Sequence, residues 1–117
     1  MQYLLLIYTA ETAWAAMADA DRNALYTEYR TFTEQIQTSG HWVGGNPLQP
    51  THTATTVRVR DGKASSTDGP FAETREQLGG YYLIEAKDLD EATKIAARIP
   101  GARLGSIEVR PVRQIGP

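Results

Sequence analysis

The sequence predicts one α+β domain in which two helices pack on a single antiparallel sheet. The elements run strand, helix, strand, inserted hairpin, strand, helix, strand. Three observations predict this. An apolar run, Tyr3 to Tyr8, opens the chain. Two later segments carry apolar residues at helical spacing. Short alternating segments lie between and after them, bounded by glycine, proline and an Asp-Gly pair. A chain of 117 residues fits one domain of typical size, so residues 1–117 form a single unit.

Gln2-Tyr3-Leu4-Leu5-Leu6-Ile7-Tyr8 is almost continuously apolar, as expected of a central strand buried on both faces. The alanine-rich bridge from Ala10 to Ala18 reads as a short helical turn or an ordered loop. Leu25, Tyr29, Phe32 and Ile36 then share one helical face, with Asp19 or Asp21 placed to cap the start and Ser39-Gly40 to end the helix. His41 to Gly45 reads as a second strand broken at its glycines. Thr55 to Arg60 alternates polar and apolar, and Asp61-Gly62 turns it back into Lys63 to Thr67. Asp68 to Gly80 reads as irregular, with a short helix around Glu73 to Gln77. Tyr81 to Ala86 is the next strand. Asp88 and Glu91 have capping-box spacing ahead of the apolar stripe Leu89, Ala92, Ile95, Ala96 and Ile99, which Pro100-Gly101 stops. Ser106 to Arg110 alternates as a last strand.

Without the hairpin the order is βαββαβ. Two right-handed crossovers on one antiparallel sheet give the ferredoxin-like arrangement, with both helices on the same face. The opposite face then carries Tyr and Val side chains that need cover. Two such sheets packed face to face would provide it, so a homodimer is expected.

Composition narrows the function. The chain is 41% hydrophobic and 22% charged with a net charge of -2, so it is an ordinary folded protein and not a basic nucleic-acid binder. The apolar run at the start is far shorter than the roughly 20 residues of a spanning helix, and no basic leader precedes it. These features predict a cytoplasmic protein with no membrane and no nucleic-acid partner. The absence of cysteine excludes disulfides, thiolate chemistry and Cys-based metal centres. His41 and His52 lack any metal-ligand spacing, so no metal is expected. Gly44-Gly45 and Gly79-Gly80 lack phosphate-loop patterns and read as bulges or strand ends.

The run from Thr67-Asp68-Gly69-Pro70-Phe71 through Leu78-Gly79-Gly80-Tyr81-Tyr82, with Val57 to Gly62 before it, resembles the DGPF branch of the YCII-related domain family. The resemblance continues in Leu48-Gln49-Pro50, Asp88 to Ala92, Arg98 to Ala102 and Ile107 to Pro111, and so spans nearly the whole chain. It implies a dimeric α+β barrel of ferredoxin-like subunits. The family's proposed enzymatic activity rests on a shared His and Asp. The His belongs near the start of the first helix, where this chain has Asp21, Arg22 and Asn23, so that half does not carry over. Asp68 is the natural acidic half. Some relatives accompany sigma factors of the extracytoplasmic-function type, which implies a possible tie to transcription.

Asp68 is therefore the candidate catalytic residue. A desolvated carboxylate at a barrel mouth has a raised pKa and serves as general acid or base. The rival role for Asp68-Gly69-Pro70 is a tight turn, with Phe71 plugging the core. Glu73 and Arg75 are candidates to orient a polar ligand, or else form a solvated helix face. Tyr29, Phe71 and Tyr82 are candidates to line a ligand cleft; otherwise the two tyrosines are core residues whose hydroxyls find partners. Two functions follow: a cofactor-free small-molecule enzyme with its site near Asp68, or a non-catalytic ligand-binding or protein-interaction module.

Overall fold

A computed structural model describes residues 1–116. The elements are β1 (Gln2–Thr9), α1 (Glu11–Ala16), α2 (Asp19–Thr38), β2 (Trp42–Pro47), β3 (Thr55–Arg60), β4 (Lys63–Asp68), β5 (Gln77–Glu85), α3 (Leu89–Ala97) and β6 (Ser106–Pro111). Short 3₁₀ turns occupy Thr51–Thr53 and Pro100–Arg103. Four strands form an antiparallel sheet in the order β2-β5-β1-β6, while β3 and β4 pair only with each other. With the hairpin set aside, this is the strand order of the ferredoxin-like fold.

The core lies between one sheet face and the helices. Tyr3, Leu5 and Ile7 of β1 alternate inward, joined by Tyr82 and Ile84 of β5. Phe32 and Ile36 of α2 and Ala92, Ile95 and Ala96 of α3 close over them. The Phe32 and Tyr82 rings meet edge to face at 5.2 Å, and Trp42 approaches Tyr82 the same way at 6.0 Å. β1 is not buried on both faces. Its alternate residues, Leu4, Leu6 and Tyr8, are only half-buried, because both long helices lie on the other side.

The alanine-rich bridge is the helix α1. The Met17 N–H closes the helix end on the Trp14 carbonyl at 3.2 Å. Arg22 adds a second donor there, reaching from Nη1 to the carbonyls of Trp14 at 3.0 Å and Met17 at 2.6 Å. The residue capping α2 is Ala18, which has no side chain to cap with; Asp19 and Asp21 instead stand in the first turn, where the helix dipole favours acid. Asp88 does cap α3, accepting from the Glu91 N–H at 2.9 Å. Leu89 lies outside the buried stripe and is exposed. β2 continues through Gly44-Gly45 because a bulge between Trp42 and Gly44 resets its register against β5.

Close backbone approach explains two glycines. A Cβ on Gly105 would stand 2.1 Å from the Tyr8 carbonyl oxygen, where the chain turns into β6 beside β1. A Cβ on Gly101 would stand 2.6 Å from the Tyr29 hydroxyl. Gly105→Ala must therefore push β6 away from β1. It is expected to lower stability by about 2 kcal/mol, read from the urea unfolding midpoint. An unchanged midpoint would contradict this packing.

Candidate functional site

The predicted site residues fall into two separate groups. Tyr29 and Tyr82 belong to the body of the domain. Asp68, Phe71, Glu73 and Arg75 belong to the hairpin and the segment that follows it, and all four are exposed. Within one chain these groups do not converge on a common cleft.

In the body, both phenols stand against the domain core, Tyr29 partly buried and Tyr82 buried. The Tyr82 hydroxyl exchanges a hydrogen bond with Thr33 Oγ1 at 2.8 Å. The Tyr29 hydroxyl lies against Gly101, 2.6 Å from where a Cβ there would stand. Burial pushes the Tyr29 phenol above its usual value, partly opposed by the Gly101 backbone. Burial raises the Tyr82 phenol too, partly opposed by Thr33.

The hairpin forms an arm. Asp61 and Gly62 both take positive φ, 52° and 74°, the signature of the type I′ turn that Asp-Gly favours. Cross-strand pairs place Thr55 with Asp68, Val57 with Ser66 and Val59 with Ala64 on one face. Arg58, Arg60 and Lys63 lie on the other, through the pairs Arg58 with Ser65 and Arg60 with Lys63. Every residue of β3 and β4 except Thr56 is exposed. Val57 and Val59 keep 65% and 60% of their surface in solvent, and Phe71 keeps 81%. Phe71 therefore plugs no core here. The segment from Asp68 to Gln77 contains no helix; bends lead straight into β5, so Glu73 and Arg75 share no helical face.

The arm is rooted by residues the sequence did not single out. The Glu11 carboxylate accepts from the Thr51 N–H at 2.9 Å and from the Thr51 hydroxyl. The Glu11 N–H donates to Gln77 Oε1 at 2.8 Å. One residue thus ties the end of β1 to the segment before the arm and to the start of β5 after it. At the root itself the Gly69 N–H donates to the Ala54 carbonyl at 2.7 Å, and the Thr56 hydroxyl to the Gly69 carbonyl at 2.9 Å. Asp68 therefore stands on a fixed backbone.

A third polar group joins α2 to α3. His41 Nδ1 lies 2.7 Å from the Ser39 hydroxyl, and its Nε2 lies 3.2 Å from a Glu91 oxygen. Glu91 also accepts from the Lys87 N–H. His41 is thus held between two helix ends. Among the described residues no group of three or more His, Asp or Glu gathers as metal ligands. No helix among them is long and apolar enough to cross a membrane.

The fold and its inserted hairpin define a ferredoxin-like α+β domain. The sequence model of the YCII-related domain family matches residues 1–116, and the chain belongs to that family. It is also 35% identical over 114 residues to an uncharacterized protein of Rhizobium meliloti (strain 1021), covering 96% of this chain and 92% of that protein.

The raised phenols give a pH test. Above about pH 10 the unfolded chain releases tyrosine protons that the folded chain retains. Their contribution to stability is therefore complete below pH 10 and is lost as pH climbs past it. Absorbance titration should show late-ionising phenols, with Tyr29→Phe and Tyr82→Phe each removing part of the late phase. A titration unaltered by either substitution would contradict the assignment.

Proposed function

We propose that the protein works as a homodimer in which two uncovered sheet faces close on each other and hold a small molecule, without a cofactor, between them. The observation that carries this reading is the chemistry of the uncovered face. Leu4 and Leu6 of β1 stand beside Leu83 and Tyr81 of β5 in register, so one apolar patch crosses the two central strands. Glu108 and Arg110 of β6 flank it as an ion pair. Asn46 of β2 flanks it on the other side, donating to the Tyr81 hydroxyl at 3.1 Å. An apolar wall with a few polar groups at its margins suits a small, largely apolar ligand. Gly44, opposite Leu83, leaves a dent in that wall where no atom lies within 4 Å of a would-be Cβ. Two four-stranded sheets closed together make eight strands, enough for packed side chains or one small ligand.

The chain's shape supports the dimer. Its accessible surface is 8238 Å². A compact monomer of this mass would expose only about 6,300 Å². Its radius of gyration is 16.3 Å, and its extents are 48 × 48 × 18 Å. A compact domain of this length would have a radius near 13 Å.

Asp68 gives the second reading, a catalytic one. It shares the arm face of Val57 and Val59, so whatever covers those valines also takes water from its carboxylate. Such a group serves as an acid or base.

Light scattering should return twice the 12.9 kDa chain mass at micromolar concentration. Leu6→Glu should return single chains with an unchanged circular dichroism spectrum. Native mass spectrometry of the dimer from its source should find a retained small molecule, lost in Gly44→Leu while the dimer persists. A monomeric native protein would overturn the dimer; a dimer that carries nothing and is indifferent to Gly44→Leu would overturn the enclosed ligand.

A further inference from the structure

We infer that the β3–β4 arm of each copy docks on the second copy, apolar face down, and places Asp68 and Phe71 at the boundary between the two chains. The inference rests on the homodimer proposed above and adds what the arm does in it.

A two-stranded hairpin with nothing packed on it is marginal in water. This one nevertheless has a sorted surface. Val57, Val59 and Ala64 share one face with Thr55, Ser66 and Asp68 towards the root, and all three cations, Arg58, Arg60 and Lys63, share the other. That division suits an arm lying on a protein surface, with its cations left in solvent. The body of its own chain does not cover it, since Val57 and Val59 remain more than half exposed.

Area favours a second copy as the cover. In plan, the four-stranded face measures roughly 19 by 20 Å, or about 400 Å². A standard stable interface takes about 800 Å² from each partner. The arm's apolar face adds roughly 200 Å² in plan and brings the pair nearer to that requirement. The chain's own surface exceeds that of a compact monomer by about 1,900 Å², so it has surface to give. A flat molecule 18 Å thick with an arm held clear of its body has the shape of half an assembly.

The arm is also aimed. Glu11 fixes the segment before it through Thr51, and Thr56 and Gly69 lock its root. A rooted arm loses little conformational freedom on docking. Asp68 sits at that root, paired with Thr55 on the apolar face, and Phe71 follows three residues on. Docking that face on the second copy removes water from the Asp68 carboxylate and covers the Phe71 ring. The polar site is then completed by two chains, which fits a carboxylate that stays exposed in one.

The test uses the full chain with Val57→Glu and Val59→Glu together, compared with the native protein. Sedimentation equilibrium should show the dimer dissociation constant rising at least tenfold, with the circular dichroism spectrum retained. Isotope-filtered NMR on mixed dimers should show the Phe71 ring of one chain in contact with the second copy in the native protein, and no such contact in the double variant at monomer concentration. Amide exchange in β3 and β4 should be slow in the dimer and fast in the Leu6→Glu single chain. A native dimer whose dissociation constant ignores the double substitution overturns the arm and leaves the sheet-face dimer standing. A native dimer in which the Phe71 ring contacts only its own chain overturns the place of Asp68 and Phe71 at the boundary. A native protein that never dimerises overturns both readings.

Discussion

Two helices have only enough surface to cover one face of a four-stranded sheet. That constraint governs the rest of the molecule. α2 and α3 bury Tyr3, Leu5, Tyr82 and Ile84 on their side. The strand period of two sends Leu4, Leu6, Tyr81 and Leu83 to the other. Strands alternate by geometry, so the second face cannot be removed, only made polar or covered. This chain keeps it apolar at its centre. Burying one leucine is worth roughly 1.5–3 kcal/mol. Three leucines and a tyrosine left only half-buried are therefore an unrealised gain, which the proposed closure of two chains would realise.

The inserted hairpin extends the same logic. Its strands form a sound turn and ladder, yet it adds no layer to its own core. What holds it in place is the polar root, where Glu11 reaches Thr51 and Gln77 across 40 and 66 residues of sequence. A side chain that ties three segments together acts as a hinge pin for the arm. The position of Asp68 follows from it. The DGPF run is thus a structural joint between the rooted arm and β5, and it carries a carboxylate and an aromatic ring three residues apart.

Much of this was legible in the sequence, for local reasons. The α2 stripe, the Asp88 cap and the Asp61-Gly62 turn each depend on residues within a few positions of one another. The strand order followed from the element order. What escaped the sequence depends on distant partners. Glu11 looks like any exposed acid at a helix start, because Thr51 and Gln77 come near it only in the fold. His41 reads as a strand-edge residue until Glu91 arrives from α3. Phe71 reads in sequence as a core plug or a cleft wall; it lies on the exposed segment that leads from the arm to β5, so it does not plug the core of its own chain. β1 was expected to be buried on both sides because its apolar run is continuous. Within the single chain the run instead marks one face for the helices and one left uncovered.

The central claim is that the uncovered sheet face is where two copies meet. Isotope-filtered NMR on dimers mixed from labelled and unlabelled chains tests it most directly, because it reports only contacts between chains. The account predicts intermolecular contacts linking the methyl groups of Leu4, Leu6 and Leu83 with one another and with the Tyr81 ring. Intermolecular contacts confined to α2 and α3, with those leucines silent, would contradict it.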